Sequence, residues 1–191
     1  MAAPPAAPVN KEGGLPRFAR RLRGALDALY LAGGVAGAVA LVGILVVVFL
    51  QMAARWTGIR FPGSGEYAGY AMAAASFLAF AHAFDRGVHI RVSLVLARLG
   101  RFRFFAELWC FAVGTGLSFY FAWYAVKAVR WSYRFGDVSQ GQDATPLWIP
   151  QLAMAAGAVL LGICFLDHLV RLAATGESGI RADTLDEAQG E

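Results

Sequence analysis

The chain has 191 residues, of which 58% are hydrophobic and only 16% charged, with a mean hydropathy of +0.53. A soluble domain carries about 25% charged residues and cannot bury several charge-free runs of membrane-spanning length, so a single soluble fold is excluded. The net charge of +4 is modest, and the arginines lie between apolar runs, which suits lipid headgroups and excludes a nucleic-acid face.

Residues 1–25 are rich in Ala, Pro and Gly and then in Arg, and read as a disordered basic tail. The apolar run 28–54 follows. It is about twice the length of a signal-peptide core and has no small-residue cleavage site before Arg55, so it reads as a retained first span. Gly33 and Gly37 form a small-xxx-small pair that would let another helix approach closely. Residues 55–65 (RWTGIRFPGSG) make a turn-rich loop, with Trp56 and Phe61 suited to the interface.

The second run, 67–84, opens on Glu66, is interrupted only by His82, and ends in a cluster of Asp85, Arg86, His89 and Arg91. At about 1.5 Å per residue it covers roughly 27 Å, close to the ~30 Å hydrocarbon core of a bilayer. Residues 90–105 place Arg91, Arg98 and Arg101 at helical spacing among Val and Leu, the pattern of a short amphipathic interfacial helix. A third run, 108–126, precedes what reads as an interfacial loop holding Lys127, Arg130, Trp131, Tyr133 and Arg134. The fourth lies between Asp143 and Asp167 and opens on TPLWIP, where Pro146 and Pro150 suit a first helical turn. Residues 173–191 read as a disordered acidic tail.

The expected fold is therefore an all-α integral membrane protein, with four transmembrane helices over residues 26–172 and the interfacial helix between the second and third. With the N-terminus inside, twelve of the seventeen Lys and Arg fall on the cytoplasmic side and five on the other. An even number of spans then returns the C-terminus to the cytoplasm.

Candidate chemistry is sparse. The sequence contains no nucleophile with a paired base, no glycine-rich phosphate loop and no CxxC motif, and the reading is of a non-enzyme without cofactors. His82, Asp85 and His89 stand at i, i+3 and i+7, as a metal site requires, but Gly87 interrupts the helix and Arg86 opposes a cation. His82 and His168, both near cytoplasmic span ends, give the alternative reading: axial ligands of haem in a membrane anchor of an oxidoreductase. Cys110 and Cys164, each inside an apolar run, read as small packing residues.

Glu66, Tyr70, Arg86-Gly87 and His89-Ile90-Arg91-Val92, together with Pro146, Trp148 and Pro150, resemble the signature of the small, DctQ-like membrane subunit of tripartite ATP-independent periplasmic (TRAP) transporters. Ser93 stands where that family usually carries Asp, and Ala74 and Ala79 replace its frequent Trp and Gly. The resemblance implies a non-catalytic subunit of the bacterial inner membrane. Its implied partners are a large DctM-like membrane subunit, a periplasmic substrate-binding protein and membrane lipids. It also implies sodium-driven uptake of an organic acid, with the residues of the motif as candidate subunit contacts.

Overall fold

A computed structural model describes residues 17–86 and 103–175. They form four helices: α1 Arg17–Thr57, α2 Ser64–Asp85, α3 Arg103–Phe135 and α4 Trp148–Thr175. Residues 87–102 contain Gly87, His89, Ile90, Arg91 and Val92 and nearly all of the expected interfacial helix, which therefore lie outside the described residues.

Three boundaries differ from the sequence reading. Helix α1 starts at Arg17, inside the segment read as a tail, and its 41 residues make it roughly 62 Å long. No proline interrupts residues 17–57, and Arg and Leu propagate a helix well, so the backbone stays helical on the polar side of the hydrocarbon boundary. Residues 127–135, read as a loop, continue α3. At the far end α4 runs on to Thr175.

What ends α1 and α3 is glycine rather than charge. Gly58 and Gly136 adopt φ of 74° and 67°. The next amide in each case reaches back five residues, Ile59 to the Ala54 carbonyl at 3.0 Å and Asp137 to Ser132 at 3.0 Å. These are Schellman caps, and the left-handed residue they require carries no penalty in glycine.

Three of the four helices, α1, α3 and α4, are long and apolar enough to cross a membrane. Helix α2 has the length, with 22 residues, but it carries Glu66, Tyr67, Tyr70 and His82 among its alanines and glycines and is not one of the three. It is instead packed upon from two sides. Helix α1 lies along α2, α4 packs on α2's other side, and α3 lies along α4. Helices α2 and α4 thus form a central seam, flanked by α1 and α3.

Small residues set these distances. A Cβ on Gly33 would sit 2.8 Å from the Leu78 carbonyl oxygen, one on Gly37 3.0 Å from that of Ala75, and one on Gly157 would overlap the Phe77 backbone. The Gly33/Gly37 pair noted in the sequence is thus the face on which α2 rests, and Gly157 makes the seam possible. Larger side chains close the diagonals: Phe77 stacks on Phe121 and Phe84 meets Phe111 edge-on between α2 and α3. Tyr30, Ala81 and Cys164 form the buried core where α1, α2 and α4 meet. The outer faces remain open. Val35, Val39, Val42, Leu45 and Phe49 on α1, and Trp109, Leu117, Tyr120 and Trp123 on α3, are all exposed. Apolar exposure on this scale belongs against lipid or another subunit, since a soluble monomer does not sustain it.

Candidate functional site

The sequence-predicted residues divide between the two ends of the bundle. At one end, the α3–α4 loop folds over the start of α2. Val138 and Pro146 pair as an isolated antiparallel bridge, with the Ser139 amide donating to the Thr145 carbonyl at 2.8 Å and the Leu147 amide to that of Asp137 at 3.0 Å. The bridged loop brings Asp143 onto α2, where the Tyr70 hydroxyl donates to its carboxylate at 3.0 Å. Gly63, the N-cap of α2, is tight against Asp143: a Cβ there would lie 2.8 Å from the Asp143 Cβ. Glu66 stands in the first turn of α2, where a carboxylate is favoured by the helix dipole. It rests on Gly141, at which a Cβ would come within 2.6 Å of its Oε1. Glu66 and Tyr70 are therefore held by the same loop.

The α4 proline-tryptophan motif completes this end. The Pro146 carbonyl accepts from the Ile149 amide at 3.1 Å, Trp148 begins α4 and meets Tyr133 edge-on at 5.7 Å, and Pro150 sits in the first turn. A proline costs least there, because its missing donor would have had no partner within the helix.

The hydroxyls of Thr145, Ser139 and Tyr70 around Asp143 hold its carboxyl below the ordinary 3.8, because each favours the ionised form. A depressed carboxylate stabilises the folded state above its ordinary pKa, and that contribution is lost as pH falls through the depressed value. Acidifying below about pH 4 should therefore loosen this loop in the wild-type chain. Asp143→Asn should flatten the acid limb of the melting-temperature profile, and an unchanged profile would show that the carboxylate contributes nothing.

The opposite end gathers the histidines. Arg86 is the C-cap of α2, its amide donating to the carbonyls of His82 and Phe84, and its side chain is exposed. Together with Asp27, His82 and Asp85 it lines a notch between α1 and α2. His82 faces α1, packing where a Cβ on Gly34 would meet its ring at 2.8 Å. His168 is 1% exposed and faces the other way, with Phe84 edge-on at 5.6 Å, Phe111 stacked at 6.0 Å, and Asp85 Oδ1 3.4 Å from Nε2. The two imidazoles do not face each other across a gap, so the haem reading finds no support in the geometry. Among the described residues no group of three His, Cys, Asp or Glu side chains is placed to hold a metal ion. Both cysteines are free: Cys164 is buried, its thiol donating to the Ala81 carbonyl at 3.6 Å, whereas Cys110 is exposed on α3, not the packing residue its apolar run suggested.

Sequence reading missed Asp143, Ser139 and Tyr30. Asp143 was visible only as the polar edge of the fourth run, although the alternation of spans already puts it at the same membrane face as Glu66.

Neither curated proteins nor solved structures provide a match to the chain. The family profile described as tripartite ATP-independent periplasmic transporters, DctQ component, matches residues 44–175. This span contains α2, α3 and α4, the loop that clamps Glu66 and Tyr70, and the Pro-Leu-Trp-Ile-Pro start of α4. The chain belongs to the DctQ family, the small membrane component of TRAP transporters.

Proposed function

We propose that this chain is a non-catalytic scaffold: it seats a large DctM-like permease subunit in the bacterial inner membrane while that subunit takes up an organic acid with sodium. A periplasmic binding protein delivers the acid. The observation that carries the scaffold reading is the contrast between the two sides of α1. One side lies on α2 through Gly33 and Gly37, while the other presents Val35, Val39, Val42, Leu45 and Phe49 outward along a helix longer than any other here. Such a ridge suits a broad partner in the bilayer, where close van der Waals packing drives association.

Both chain ends are placed in the cytoplasm and α2 counts as the fourth span. Two features support this: the excess of Arg and Lys in the inner segments, and the packing that sets α1 antiparallel to α2 and α2 parallel to α4. Reporter fusions after Gly14, Arg103 and Gly176 should report cytoplasm, and those after Gly63 and Asp137 periplasm. A periplasmic signal after Arg103 would refute four spans.

Uptake decides the role itself. The purified chain in liposomes should move no organic acid, with or without a sodium gradient, and transport should begin when the large subunit and binding protein are added. Sodium-dependent uptake by this chain alone would sink the scaffold reading. An absorption spectrum of the same preparation without a Soret band would remove the haem alternative.

A further inference from the structure

The last third of α3 carries a face to which the scaffold role gives no use. Trp123, Lys127, Arg130, Trp131 and Arg134 recur at helical spacing and line an open groove of about 470 Å³. Lys127 Nζ lies 5.4 Å from the centroid of Trp131 and 5.8 Å from that of Tyr124, which orients its ammonium along the groove. Among the described residues no ion pair engages Lys127, Arg130 or Arg134, and no acidic side chain lines the groove.

Depth adds to composition. The apolar stretch 108–126 precedes these cations on the same unbroken helix, so they emerge at headgroup level with Trp123 just below them. We propose that the groove is a binding site for the phosphate headgroup of an anionic phospholipid. Arg130 and Arg134 supply the forked donors that match phosphate oxygens, Lys127 supplies a point charge, and Trp123 and Trp131 wall the glycerol region. A zwitterionic lipid finds no carboxylate here for its ammonium. An acidic protein would have to descend below the headgroups to reach the lower wall. The inference rests on α3 crossing the bilayer and holds for either orientation of the chain.

The test uses the full chain carrying Trp56→Phe, Trp109→Phe and Trp148→Phe, so that fluorescence reports from Trp123 and Trp131. Reconstituted in phosphatidylcholine vesicles, it is quenched with dibrominated phosphatidylglycerol or dibrominated phosphatidylcholine. One cation near an anionic surface is worth roughly a fivefold preference, so the anionic lipid should be favoured by about fivefold or more. The preference should fall to near parity in the Lys127→Gln, Arg130→Gln, Arg134→Gln variant and survive in the charge-conserving Lys127→Arg, Arg130→Lys, Arg134→Lys variant. Equal quenching by the two lipids in the parent chain would overturn the proposal on its own, without recourse to either variant, and leave the groove to an acidic protein. A preference that persists in the glutamine variant would overturn it equally.

Discussion

Gly157→Leu should give the largest loss of stability of any single substitution in the bundle. A side chain at this position meets the Phe77 backbone, which cannot swing aside as the end of a flexible side chain can. Overpacking a well-filled interior costs about 1–3 kcal/mol and occasionally more, and a backbone obstacle puts this site above about 3 kcal/mol. Relief would require α2 and α4 to separate along the seam that joins the two halves of the molecule. Gly116 on α3 is the control: a Cβ there meets nothing within 4 Å. Gly116→Ala should be silent or stabilise by up to about 1 kcal/mol through helix propensity. Thermal unfolding in detergent compares the two, and a Gly157→Leu chain that melts with the wild type would refute the close seam.

His168→Ala should be the next most damaging change, and the reason is packing rather than charge. The ring is enclosed by Phe84 and Phe111, and deleting a buried ring of this size costs about 3 kcal/mol. The rival account makes the Asp85 contact decisive, since removing one partner of a buried ion pair costs about 3–5 kcal/mol. Geometry favours packing. The 3.4 Å separation is long, neither ring nitrogen has a hydrogen-bond partner, and the pair is ionic only when the imidazole is protonated. His168→Phe keeps the ring and abolishes the charge, so it should recover most of the stability lost in His168→Ala, to within about 1.5 kcal/mol of the wild type. If phenylalanine is as damaging as alanine, the ion pair is the stronger contribution.

The same residue shows how far sequence reading reaches. Hydropathy reports depth, and by depth His82 and His168 were correctly placed at one end of their helices. It says nothing about rotation around a helix axis, which comes from packing. Gly34 draws His82 toward α1, while Phe111 holds His168 on the α3 side. Tyr70 and Asp143 illustrate the other limit: 73 residues separate them, and neither carries a local sign of the other. Gly33 and Gly37 were legible because a small-residue pair declares a close contact, although it does not name the helix that arrives. The end of α3 was misjudged because charge marks where hydrocarbon stops, whereas Gly136 marks where the helix stops.

The arrangement of the helices also bears on how the molecule is made. Short connections join α1 to α2 and α3 to α4, each pair packs extensively along its own length, and the pairs meet chiefly where α2 lies on α4. Each pair can enter the bilayer as a hairpin with its backbone already satisfied, and lateral docking can follow as a separate event. On the proposed four-span arrangement, the nascent chain is two inserting units in succession. The first must wait in the membrane with the Ala-rich flank of α2 uncovered until the second emerges. That flank meets α4 through Ala81 and the backbone at Phe77, a close fit to Gly157 that lipid chains do not reproduce. The wait therefore favours docking over dispersal, and the small-residue face that lets α2 pack closely makes it the helix that recruits the second half.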